Sequence, residues 1–84
     1  MDLSALKPPE LALVNYLRAH PGKFFDRATL NHMVFNDTYA LPTINFYIWS
    51  IREKLGRGSI KTRLYRNNRP AGYAWVVEFV GGAE

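Results

Sequence analysis

The sequence predicts an α+β domain in which three short helices precede a two-stranded β-hairpin. Up to Leu55, apolar residues recur at helical spacing in three separate stretches, and from Ile60 onward they alternate with a period of two. Between these regimes stands "LGRG", residues 55–58, and glycine is the residue that most readily closes a helix in left-handed backbone.

The first helix is expected over about 8–20, "PPELALVNYLRAH". Its prolines suit a first turn, where no amide proton is needed, and Leu11, Val14 and Leu17 form a stripe flanked by Leu13. "HPGKFF" stops it. Asp26 is a good N-cap for a second helix over 27–35, "RATLNHMVF", with Leu30, Met33 and Val34 on one side. "NDTYAL" reads as a loop, and Pro42 starts a third helix over 42–55 that Gly56 and Gly58 end. The hairpin is expected over about 60–79. "IKTRLY" sets Ile60, Thr62 and Leu64 against Lys61, Arg63 and Tyr65, and "GYAWVVEFV" sets Tyr73, Trp75, Val77 and Phe79 against the residues between them. "RNNRPA" is rich in turn formers, Tyr73 and Trp75 are core candidates, and the "GGAE" tail is expected to fray.

With 84 residues, 48% of them hydrophobic and 21% charged, the chain is expected to make a single globular domain, 1–84. It has no cysteine, which excludes disulfides, thiolate zinc sites and cysteine nucleophiles. No apolar run approaches the roughly 18 to 20 residues that a membrane span needs, so a soluble intracellular protein without a membrane partner is expected. No enzyme is expected: the carboxylates are scattered, "GRGS" lacks the length and lysine of a phosphate loop, and no serine sits in a nucleophile elbow. His20 ends a helix and His32 has no carboxylate at ligand spacing, so neither a metal nor a cofactor is expected.

The net charge of +4 is unevenly placed. Residues 1–44 carry four basic and four acidic side chains, and residues 45–84 carry seven basic and three acidic. Lys54, Arg57, Lys61, Arg63, Arg66 and Arg69 form a run without an acid, a field that attracts a polyanion, although a solvated loop kept soluble by like charges reads the same way. Counted at about 100° per residue, Ile44, Ile48, Ile51 and Leu55 make the apolar face of the third helix. Thr43, Phe46, Ser50 and Lys54 make a second row that is expected to face a partner, and Trp49 falls on the far side near Glu53. Three helices followed by a basic ribbon describe a winged helix-turn-helix, whose third helix enters a major groove.

From Leu6 to about Phe79 the sequence resembles the DNA-binding domain of the OmpR/PhoB response-regulator family. The likeness is carried by "LKPPELALVNYLRAHPGKFFDRATL", "PTINFYIWSIREKLG" and "AGYAW", in that order and spacing. It implies a transcription regulator of double-stranded DNA, working in the cytoplasm on the bacterial nucleoid and bound as two copies on repeated half-sites. Carried over by position, Thr43 contacts a phosphate, Phe46 thymine methyls and Ser50 the central bases, while Arg52 lies near the backbone. Tyr47 stands where the family has histidine. Lys54 belongs to the same row, Lys61, Arg63, Arg66 and Arg69 track the backbone, and residues 36–41, with Asp37 and Tyr39, occupy a loop that in some members touches RNA polymerase. Trp49 and Ser50 replace the consecutive arginines usual in mid-helix, and Lys7 the usual threonine cap. No receiver domain is present in the sequence, so a free-standing regulator is expected.

The aromatics leave alternatives open. Phe46 either reads bases or packs on the second helix. Trp49 covers the base of the wing, packs on a dimer mate or binds a protein. A second function therefore stands beside the first: a winged-helix interaction module that grips RNA polymerase, a sigma-like factor or its own copy through Phe46, Tyr47 and Trp49.

Overall fold

A computed structural model describes residues 3–64 and 70–76 of the chain. Its elements are α1 (Pro8–Ala19), α2 (Arg27–Phe35), α3 (Leu41–Leu55), β1 (Ile60–Leu64) and β2 (Pro70–Trp75). This is the expected order, three helices and then an antiparallel hairpin, and α3 begins one residue earlier than Pro42. The predicted turn residues 65–69, with Arg66 and Arg69, and the predicted strand positions 77–79 lie outside the described residues.

In α1, the Lys7 amide donates to Glu10 Oε1 at 2.9 Å, so the side chain at the third helical position satisfies a donor just before the first turn. Leu13, Val14 and Leu17 are wholly buried against the other two helices. Asp26 caps α2 as its position predicts, its Oδ1 accepting from the Thr29 amide at 2.7 Å. That amide, helped by the Thr29 hydroxyl, holds the Asp26 carboxyl below the usual aspartate range. Asp26→Ala is expected to cost about 1 kcal/mol, read as a lowered urea midpoint with an unchanged slope.

The end of α2 holds a feature that spacing does not show. Asn36 and Asp37 both have positive φ, 53° and 62°, and the chain doubles back so that the Asp37 amide reaches the Asn31 carbonyl at 3.0 Å. His32 Nδ1 thereby meets Asp37 Oδ2 at 2.9 Å, giving His32 the carboxylate neighbour that linear spacing denied it. Buried Asn31 fastens the loop between α2 and α3, donating to the Tyr39 carbonyl at 2.5 Å and accepting from the Tyr39 amide at 3.1 Å.

Helix α3 ends at Gly56, whose φ of 117° and ψ of 143° are extended rather than the left-handed helical values expected, yet still open in practice to glycine alone. The hairpin register pairs Ile60 with Trp75, Thr62 with Tyr73 and Arg63 with Gly72. Leu64 then faces Pro70, which leaves Ala71 as an extra residue, a bulge. Phe25, in the stretch that sequence marks only as a helix stop, exchanges both backbone hydrogen bonds with Tyr73, at 2.9 and 2.8 Å. β2 is thus bonded along both edges. Gly72 suits this close approach, because a Cβ would stand 3.3 Å from the Phe25 carbonyl oxygen, tighter than most Cβ contacts, and would press on that strand pairing. The core joins Leu13, Val14 and Leu17, Leu30, then Ile44, Ile48, Ile51 and Leu55 of α3, and Phe25, Ile60, Tyr73 and Trp75 from the sheet.

Candidate nucleic-acid interface

Helix α3 has three environments around its circumference. Ile44, Ile48, Ile51 and Leu55 face the core. One flank meets α1. There Ser50 is only 8% exposed, and it and Lys54 converge on Glu10, whose side chain is 2% exposed and accepts from Lys54 Nζ at 2.7 Å. Burial pushes the Glu10 carboxyl up, but hydrogen bonds from Lys54, Ser50 and the Lys7 amide, with the Lys54 charge, outweigh it and hold the group below the usual glutamate range. The row expected to face a partner is therefore broken: Ser50 has almost no surface to offer a base, and the Lys54 ammonium is committed to α1. The reason is that α1 approaches α3 from the side, which widens the covered arc beyond the apolar stripe.

The other flank meets the hairpin. Arg52 Nε and Nη2 donate to the Ile60 carbonyl at 3.1 and 2.8 Å, Nη2 also bonds the Thr62 hydroxyl, and the guanidinium lies over the Tyr73 ring at 5.6 Å. Asn45 Nδ2 donates to the Tyr73 hydroxyl at 2.8 Å. These bonds fix the angle between helix and wing. Burial pulls the pKa of Arg52 down and pushes that of Tyr73 up, so the pair is a cation beside a neutral phenol.

What remains is an outward edge of Pro42, Phe46, Trp49 and Glu53. Phe46 is 57% and Trp49 56% exposed, and their rings stack at 5.9 Å with planes 30° apart. Neither belongs to the buried core, and Phe46 meets the half-buried Tyr47 ring at 6.1 Å, tilted by 56°. Tyr47 itself packs with Tyr39 and Phe35, at 5.4 and 6.4 Å. Thr43, near the helix start, is half-buried. Beside Trp49 an open groove of about 380 Å³ runs between α3 and β1, lined by Trp49, Arg52, Glu53, Arg57, Ile60 and Thr62.

The cations are arranged otherwise than the sequence suggests. Thr62 and Tyr73 face α3, so strand alternation turns Lys61 and Arg63 to the opposite face of the hairpin. Both are exposed, and Arg63 reaches across Gly72, which offers no side chain, to lie 4.8 Å over the Phe24 ring. Next to the outward edge stand Arg57 in the groove, whose Nη2 donates to Glu53 Oε2 at 3.2 Å, and Arg27, whose Nη1 donates to Asn45 Oδ1 at 2.9 Å. Sequence reasoning missed Arg27, because a residue directly after an N-cap reads as a helix start; only the crossing of α2 and α3 brings it to Asn45. In the α2–α3 loop Asp37 is exposed and bonded to His32, and Tyr39 is half-buried.

Residues 3–75 match the family described as the C-terminal domain of transcriptional regulatory proteins. The chain belongs to this OmpR/PhoB-type family. It is accordingly a winged helix-turn-helix DNA-binding domain of a transcriptional regulator, with α2 and α3 as the helix-turn-helix and the β1–β2 hairpin as the wing. OmpR/PhoB-type domains are DNA binders rather than a catalytic family, and no helix among the described residues is long and apolar enough to cross a membrane. Neither a curated protein nor a solved structure matches the chain.

Proposed function

We propose that the domain regulates transcription by laying α3 in the major groove of double-stranded DNA, with Arg27 and Arg57 on the phosphates at either side and the wing along the neighbouring backbone. The observation that carries this reading is the outward edge of α3, exposed beyond the buried core and flanked by these two arginines. Thr43, near the start of α3, serves a phosphate. Lys61 and Arg63 add to the attractive field from the far face of the wing. Such a regulator works on the nucleoid, in the cytoplasm, and two copies on repeated half-sites fit the usual symmetry of helix-turn-helix binding.

Binding isotherms over a salt series test the reading. If about four phosphates are contacted, affinity should fall roughly 100-fold between about 50 and 200 mM salt. Arg27→Ala and Arg57→Ala should each weaken binding to all sequences alike and lower the salt slope by about one unit. An affinity indifferent to salt removes the proposal. A second reading, contact with RNA polymerase or a sigma-like factor through Asp37 and Tyr39, draws support from the loop being pinned by Asn31, since a pre-ordered loop loses little entropy when a protein docks on it.

A further inference from the structure

We infer that Trp49 is a DNA-reading residue: with Phe46 it forms one apolar plate that selects pyrimidine 5-methyl groups, those of thymine above all, in the major groove. The inference rests on the proposed function and names what the groove-facing edge recognises.

The first support is what α3 lacks. Guanine is most often read by an arginine or lysine fork, and both cations within the helix are already committed, Arg52 to Ile60 and Thr62 and Lys54 to Glu10. Asn45, the amide that would otherwise suit adenine, is held between Arg27 and Tyr73. Readout by a cationic or amide fork from the middle of this helix is therefore blunted, and the side chains left on the outward edge are two aromatic rings and Glu53, whose carboxylate accepts from Arg57 at 3.2 Å.

The second support is their arrangement. Phe46 and Trp49 are one turn apart on the outward edge, each more than half exposed, and their stacking at 5.9 Å orders both before any partner arrives. Two ordered rings present a continuous apolar surface at little entropic cost on binding. The third support is charge. Arg57, largely exposed although paired with Glu53 at 3.2 Å, shares the groove with Trp49, and Arg27 is tied to Asn45, the neighbour of Phe46. An apolar centre between cations fits a ligand with anions outside and apolar groups within. In a duplex the phosphates supply the first, and the apolar group that the bases show in the major groove is the thymine methyl.

Once a bound site has been selected from random DNA, each thymine is replaced singly by deoxyuridine, which removes one methyl and changes nothing else on the base edge. At one or two adjacent thymines affinity should fall about fourfold, the loss of one buried methyl. Trp49→Ala should abolish the deoxyuridine penalty at one of these and Phe46→Ala at the other, while Trp49→Phe retains it. Because Trp49 is more than half exposed and lies outside the buried core, its variants should unfold near the wild-type urea midpoint, which separates reading from folding. Sequence-selective binding that ignores deoxyuridine everywhere, or a penalty undiminished in Trp49→Ala, overturns the inference while leaving the proposed function standing. Loss of association between copies, or with polymerase, in Trp49→Ala with DNA binding and methyl penalties intact would make the plate a protein contact instead. Failure of the wild-type chain to bind DNA at low salt would remove both readings together.

Discussion

Lys54→Met is expected to destabilise the domain by roughly 2–4 kcal/mol, because it strands a buried carboxylate while keeping the aliphatic stem. Glu10 sits almost wholly out of water and Lys54 is 28% exposed at its rim, so the pair joins α1 to α3 at a point where solvent cannot replace the lost cation. Exposure of Lys54 keeps the figure below that of a fully enclosed pair. The pH dependence should weaken. In the wild type the folded pKa of Glu10 is depressed, so its contribution is full above the ordinary glutamate value of about 4.3 and disappears as pH falls through the lower folded value. In the variant, burial is offset only by Ser50 and the Lys7 amide, so the folded pKa moves up toward or past the ordinary value and the loss of stability on lowering pH from 7 shrinks. Urea unfolding at several pH values reads both effects. Equal loss at every pH, or none, would mean that the pair does not hold the helices together. The double variant Glu10→Gln, Lys54→Met should recover part of the loss.

Arg52→Met carries the second large effect, about 1–3 kcal/mol, since it removes both donors to the Ile60 carbonyl and the partner of the Thr62 hydroxyl. Its functional cost should exceed its thermodynamic one, because the same guanidinium sets the angle between α3 and the wing. DNA affinity is expected to drop even at temperatures where the variant remains folded, and amide exchange should accelerate along β1 before it does in α1. Arg52→Lys should not rescue either property: one ammonium cannot supply a planar fork to two acceptors. Unchanged exchange in β1 would show that the hairpin is held by Tyr73 and Trp75 alone.

These two residues also show where sequence reading ended. The helices, the capping Asp26, the hairpin and the burial of Tyr73 and Trp75 followed from periodicity, because each is decided by its own stretch of chain. The exposure of Phe46 and Trp49 followed from the helical wheel for the same reason. Ser50 and Lys54 did not, since a wheel knows the direction of the core but not the width of the neighbour that leans on it. Glu10, 1% exposed, reads in sequence as an ordinary acid in a first turn, and its destination 44 positions away is set only by packing. The orientation of Lys61 and Arg63 was within reach, since alternation separates them from Thr62; what was missing was that the Thr62 face is the one turned toward α3.

The bond from Arg52 to the Ile60 carbonyl has one more effect. The Ser59 carbonyl points inward, accepting from the Val76 amide at 3.0 Å, so the next carbonyl, that of Ile60, points away from β2. The guanidinium therefore covers an acceptor on the rim of the ribbon, where a strand from another molecule would otherwise begin to zip on, and the charges of Lys61 and Arg63 discourage growth further along the same rim. Edge-to-edge strand pairing between copies of the domain is thereby disfavoured along β1.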